Sequence, residues 1–178
     1  MQAIDPSGMR ALVIGNSCAG KSTFARALAA NTSLPLIELD ALYWEPHWQP
    51  KERSTFRREV ARAIAGNCWI VVGNYSSVRD VVWPRPTMVF WLNYGFPIVF
   101  ARALRRTIRR SVTGEELWNG NRESWRRSFL SSDSILWWVI TTHQRRRREF
   151  AALRAANAYP ALSWVEFRRP ADAASFLR

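Results

Sequence analysis

Gly15-Asn16-Ser17-Cys18-Ala19-Gly20-Lys21-Ser22 has the residue types and spacing of a phosphate cradle, G-x-x-x-x-G-K-[ST]. The chemistry this pattern offers is local. Successive backbone N–H groups of the turn point at one spot, and the N-terminus of a following helix adds partial positive charge there. In that arrangement Lys21 reaches the β- and γ-phosphates of a triphosphate, and the Ser22 hydroxyl serves Mg²⁺. Thr23 completes the set of expected nucleotide contacts. Of the 26 cationic residues only Lys21 and Lys51 are lysines, so a lysine at this spot is not a by-product of composition. Cys18 reads as a small residue tolerated in the turn, where a thiol is open to oxidation.

Such a loop needs a strand before it and a helix after it. The apolar run 10–14 predicts the strand, and 23–30 predicts the helix. Residues 35–39 read as a second strand, and 40–50 as a polar, aromatic loop. Helical spacing follows over 51–65 (Phe56, Val60, Ala63, Ile64), ended by Gly66. The continuous apolar runs 68–72 and 87–92 predict strands covered on both faces. Pro97 opens a helix to about residue 110, and 162–167 reads as a last strand followed by a short terminal helix. Strands alternating with helices predict an α/β fold, a five-stranded parallel sheet flanked by helices, over a single domain 1–178. Ligands of such sheets bind beyond the strand C-terminal ends, so the residues just past each strand are the ones to read for chemistry.

Composition narrows the partners. A net charge of +12 and a pI near 11.2 favour anions, whether nucleotide or nucleic acid. Arginine supplies nearly all of that charge, and a general bias toward Arg and Ala accounts for part of it. With 48% hydrophobic residues the chain is not a disordered polyelectrolyte. Two cysteines, Cys18 and Cys68, make neither a disulfide framework nor a metal site, which suits a reduced, cytoplasmic setting. No stretch has the length and apolarity of a membrane span or a signal peptide, so no membrane partner is expected.

With the phosphate loop near its N-terminus, the expected strands and an Arg-rich insert, the chain resembles the adenylate-kinase-like branch of P-loop NTPases. It is more closely similar to small bacterial members also labelled DNA topology modulation proteins. The residues carrying that likeness are the loop itself, Ile37-Glu38-Leu39-Asp40-Ala41-Leu42-Tyr43-Trp44, Gly73-Asn74-Tyr75-Ser76, Trp83-Pro84-Arg85, Leu117-Trp118-Asn119-Gly120-Asn121-Arg122-Glu123-Ser124 and Asp133-Ser134-Ile135-Leu136-Trp137-Trp138. The resemblance implies ATP and Mg²⁺ as cofactors and an Arg-rich lid at about 111–127. It implies an adenine-stacking role for Arg102 and a phosphate-binding role for Arg106. Arg122, Arg126 and the run Arg145-Arg146-Arg147-Arg148 are candidates for the remaining clamps, since guanidinium binds phosphate oxygens bidentately and keeps its charge.

The resemblance also exposes two departures. Relatives commonly carry an acid before the glycine that ends the third strand and another at the end of the fourth. Here those positions hold Val72 and Asn93. The acid best placed to act is Asp40, just past the second strand. It reads either as a contact or base for an acceptor hydroxyl or as a cap of the following turn. Glu38 and Asp80 are weaker candidates, and Asp133 reads as a helix cap. Tyr43, Trp44, His47 and Trp48 form either an aromatic wall for a flat acceptor or a satellite cluster under the loop. Trp69 and Trp91 read as core, and His143 as a surface residue.

Two functions fit. The first is an ATP-dependent phosphotransferase acting on a nucleotide or another small acceptor, with Lys21, Asp40, Arg106 and Arg122 in the catalytic roles. The second is a nucleic-acid-associated protein carrying a nucleotide-binding loop, suggested by arginines interleaved with Trp125, Trp137 and Trp138. No standard nucleic-acid-binding module is present.

Overall fold

The computed structural model describes residues 6–113, 118–121 and 135–178. Five strands form one parallel sheet: β1 (Arg10–Gly15), β2 (Leu36–Glu38), β5 (Trp69–Val72), β6 (Met88–Leu92) and β7 (Ser163–Phe167), in the order β2-β5-β1-β6-β7. Two further strands, β3 (Trp44–Glu45) and β4 (Gln49–Pro50), pair antiparallel in a small hairpin. The helices are α1 (Lys21–Thr32), α2 (Leu39–Tyr43), α3 (Arg53–Ala63), α4 (Arg79–Val82), α5 (Phe96–Thr113), α6 (Ile135–Ala155) and α7 (Pro170–Phe176).

The apolar runs are explained by two cores, one on each face. Successive side chains of a strand point to opposite sides. Ala11 and Val13 of β1, Ile70 and Val72 of β5, and Phe90 and Leu92 of β6 pack with Phe24 and Leu28 of α1 and Val99 and Ala103 of α5. Leu12, Ile14, Trp69, Val71, Val89 and Trp91 pack on the other face with Phe56 and Val60 of α3 and Phe150 of α6. Trp69 and Trp91 are core residues, 1% and 3% exposed. A strand loaded on both faces leaves no polar alternation to read, which is why these strands look like plain hydrophobic runs.

Central β1 is flanked by β5 and β6, and its loop leaves the sheet at the C-terminal edge. Gly15 sits at φ 146° in register with Leu92, and a Cβ there would stand 2.7 Å from the Leu92 carbonyl oxygen. Glycine is therefore required for the chain to turn out of the sheet. The segment 40–50, expected to be irregular, is instead α2, the β3–β4 hairpin and a tight turn over Pro46–Trp48. His47 and Trp48 adopt positive φ (63° and 58°) to close that hairpin, an arrangement that β-propensity does not signal.

Candidate functional site

The loop after β1 has the expected form. Gly20 holds φ 96° at the start of α1, and Cys18 turns at φ 62°. Lys21 folds back so that its Nζ donates to the Asn16 carbonyl at 2.9 Å. Burial pushes the Lys21 ammonium down to about 8. Arg146 and Arg106 push the same way, while Asp40 and Cys18 oppose them. Asp40 is the strongest charge acting on Lys21, which puts the expected acceptor acid and the loop lysine in one electrostatic unit.

A cavity of about 2090 Å³ opens at this edge of the sheet. Gly15, Ser17, Cys18, Ala19, Gly20, Lys21, Ser22 and Thr23 line it, together with Asp40, Tyr43, Trp44, His47 and Trp48. From α5 come Arg102, Arg105, Arg106, Arg109 and Arg110, and from α6 Trp138 and Arg146. Residues 102, 106, 109 and 110 fall on one helical face, so the arginine pattern of α5 is a directed one. Asp40 is the one carboxylate lining the cavity among the described residues.

Asp40 is held from below. Its Oδ1 accepts from the Tyr75 hydroxyl at 2.5 Å. Burial, and then the neighbouring Asp40 charge, drive the Tyr75 phenol well above its ordinary range, so Tyr75 stays a donor at every physiological pH. Asp40 lies in the first turn of α2, but its side chain does not cap that helix. The glycine before this wall is also constrained: Gly73 has φ 139°, and a Cβ there would stand 2.7 Å from the Leu39 Cβ. That contact sets α2, and Asp40 with it, against the end of β5.

Arg102 braces the loop: its Nη1 donates to the Ala19 carbonyl at 2.7 Å, and its guanidinium lies 5.2 Å from the Tyr94 ring centroid. In the run 145–148 the four arginines part ways. Arg145 and Arg148 are exposed, Arg146 faces the cavity, and Arg147 Nε donates to Asn93 Oδ1 at 2.7 Å. Asn93, standing where an acid was expected, also donates to Glu166 Oε1 at 2.8 Å. Its amide links an arginine to a carboxylate and needs both a donor and an acceptor, which aspartate does not offer. Val72, at the other acid position, is 4% exposed and belongs to the core.

The remaining acids are engaged elsewhere. Glu38 accepts from Arg26 and from Trp118 Nε1, and Asp80 pairs with Arg57. His143, read as a surface residue, is 1% exposed. Its Nε2 meets the Tyr94 carbonyl at 3.1 Å, its ring stands edge-on to Phe96, and burial lowers its pKa. The arginine run after it pointed to solvent in the sequence, but only Arg145 and Arg148 are exposed, while Arg147, one turn on, shares the His143 face and is half-buried.

Arg122, Arg126, Asp133 and most of the expected lid lie outside the described residues. Within that region, residues 118–121 dock on the hairpin. Asn119 Nδ2 donates to the Trp44 carbonyl at 2.5 Å. Asn121, 2% exposed, donates to the Glu45 carbonyl at 2.9 Å and accepts from the Trp48 N–H at 2.7 Å. Tyr43 packs on Phe56 and Tyr75 while also lining the cavity, so the aromatic residues of 41–48 serve as both wall and satellite cluster.

Sequence reasoning gave no role to Tyr75 or to Pro170, Ala173, Ala174 and Leu177, which line the cavity from α7 and the residue just after it. Both groups follow strand C-terminal ends, β5 and β7. The rule that directs attention past each strand would have reached them.

No family model matches the chain, and no curated protein matches it. Solved structures do. A shikimate kinase from Bacteroides thetaiotaomicron aligns over 95% of this chain and 94% of its own, with TM-score 0.58 and 14% identity. A gluconokinase from Sinorhizobium meliloti 1021 aligns over 98% and 90%, with TM-score 0.54 and 19% identity. With its strand order, its glycine-lysine loop at the central strand and these neighbours, the chain has the fold of the P-loop kinases.

Proposed function

We propose that the protein is an ATP-dependent small-molecule kinase that phosphorylates a hydroxyl group. The observation that carries this reading is Asp40, the one carboxylate lining the cavity among the described residues, which acts electrostatically on the loop lysine and is gripped by Tyr75. A carboxylate beside a phosphate cradle has a use when the acceptor is an alcohol, because it can take the hydroxyl proton. The neighbours named for shikimate and gluconate phosphorylation are consistent with such an acceptor.

The residues present suit ATP. A glycine-rich turn, where a Cβ on Gly20 would crowd Arg102 Nη1 at 3.0 Å, leaves a backbone cradle with α1 behind it. Mg²⁺ finds a single expected protein oxygen, the Ser22 hydroxyl on the cavity wall. That donor set is sufficient for an ion that keeps waters and takes phosphate oxygens. When bound, Mg·ATP supplies the γ-phosphoryl group, whose bond to ADP breaks as the bond to the acceptor oxygen forms.

The chain's own residues do the rest. Asp40 accepts the hydroxyl proton, and Tyr75 fixes the carboxylate and keeps one of its oxygens occupied. Lys21 and Arg106 offset the charge gathering on the transferred group, as fixed dipoles and cations do in phosphoryl transfer. Arg102 keeps the loop in shape. Arg122 is assigned to the same clamp.

The test is ADP release against a panel of hydroxy acids, sugars, nucleosides and nucleoside monophosphates. Acceptor-stimulated release is expected in wild type and lost in both Lys21→Ala and Asp40→Asn, with Mg·ADP binding weakened in the Lys21 variant alone. Wild type indistinguishable from Lys21→Ala across the panel would end the proposal.

A further inference from the structure

Two donors in the wall beside Asp40 are shut in without an acceptor: Arg146 Nε and Asn74 Nδ2. Buried donors are nearly always paired, so an unpaired one calls for a partner. Here there are two, on residues that touch. Arg146 Nη1 reaches the Asn74 carbonyl at 3.4 Å, a long bond that holds the guanidinium loosely. The guanidinium plane is instead positioned by Trp138, whose ring centroid lies 5.7 Å away.

We propose that Arg146 and Asn74 form an oxyanion subsite for the acceptor, which is therefore a small hydroxylated organic anion carrying a carboxylate or a phosphate. This rests on the kinase reading for the word acceptor. The anion binding itself does not depend on it.

Three observations converge. First, both residues line the same cavity as Asp40 and the phosphate loop. Second, Asn74 is joined directly to Tyr75, the residue that holds Asp40, so the hydroxyl-handling and anion-handling ends lie on adjacent residues. Third, the described wall carries Lys21 and seven arginines against one carboxylate. Arg26 of that wall is answered by Glu38, and the net positive field of the described wall favours anions there. Arginine and a side-chain amide together present planar, directed N–H groups, which match carboxylate and phosphate oxygens better than a neutral hydroxyl. Burial lowers the Arg146 pKa, and Glu149, the carboxylate that opposes this, is itself paired with Arg79.

The experiment is a titration that needs no turnover. The protein is saturated with a non-hydrolysable Mg·ATP analogue, which fills the γ-phosphate position, and calorimetry then follows inorganic phosphate, glycolate and ethylene glycol. Saturable binding is expected for phosphate or glycolate and not for ethylene glycol. Arg146→Gln and Asn74→Leu weaken it at least fivefold, and Arg146→Lys falls between. Thermal unfolding of each variant confirms that it is folded.

The proposal is overturned if neither anion binds, if ethylene glycol binds as well as glycolate, or if the variants bind like wild type. If the anion competes with the analogue instead of adding to it, Arg146 serves the γ-phosphate and the proposal also fails. If the analogue itself does not bind, the kinase reading fails separately. The titration is then run on the nucleotide-free Lys21→Ala protein, where the loop's own anion site is weakened and the same outcomes decide.

Discussion

Lys21 is expected to take up a proton when nucleotide binds. In the free protein its ammonium is held down to about 8 by burial, so near pH 8 about half of the molecules carry a neutral Lys21. Phosphate oxygens at Nζ favour the charged form and restore it. Binding Mg·ADP then draws in about 0.1 proton at pH 7, about 0.5 at pH 8 and about 0.75 at pH 8.5. The nucleotide's own phosphates are fully ionised above pH 8 and add nothing.

The sign follows. The complex binds more protons than the free protein, so affinity falls as pH rises through about 8, by roughly tenfold, or ~1.4 kcal/mol, at pH 9. Stability of the nucleotide-free protein moves the other way. The folded pKa lies below the unfolded one, so the Lys21 contribution rises with pH from about 8 toward the ordinary lysine value of 10.5. Isothermal calorimetry in buffers of different ionisation enthalpy reads the proton count. Lys21→Arg, charged throughout this range, sets the baseline from other groups. Equal uptake at pH 8.5 in wild type and Lys21→Arg would refute the account of the Lys21 environment.

Three further outcomes are expected. Asp40→Asn lowers turnover of a hydroxyl acceptor by about 10²–10⁴ and leaves the Mg·ADP Kd within about threefold, while Tyr75→Phe, losing one bond to a charged group, costs about tenfold or more; a Tyr75→Phe enzyme with unchanged kcat would show that the grip on Asp40 is idle. Gly73→Ala destabilises the fold by about 1–3 kcal/mol in urea titration, because alanine is strained at φ 139° and meets Leu39; a change under about 0.5 kcal/mol would mean that α2 yields freely. Any single-stranded DNA that binds at low salt is expected to yield to Mg·ATP, since the α5 arginines face the cavity; full DNA affinity at saturating nucleotide, measured by anisotropy, would locate a separate basic surface.

The fold was readable because its signals are short-ranged. Apolar runs mark strands covered on both faces, and the glycine-lysine turn between run and helix marks where the phosphate loop lies; that its strand is central came only with the structure. The directed face of α5 could be read from the spacing of Arg102, Arg106 and Arg109. The parts that escaped depend on distant partners. His143 is buried by its contact with Tyr94, 49 residues away, and no local pattern announces that. The β3–β4 hairpin lacks alternation and relies on positive φ at His47 and Trp48, residues that rarely signal it. The use of Asn93 is legible only once Glu166 is known to stand 73 residues on. Within 145–148 the sequence offers four equal arginines, and only helical phase against the sheet separates Arg146 from its neighbours.

The amides of Asn119 and Asn121 have a consequence for anyone who would redesign this protein. They complete backbone groups of a hairpin 73 to 76 residues earlier in the chain. The hairpin is therefore not a portable cassette. A transplanted 41–48 segment would arrive with the Trp44 and Glu45 carbonyls and the Trp48 N–H unmatched, and a transplanted 118–121 segment would have nothing to grasp. Recombination or engineering that moves either piece has to move the two together.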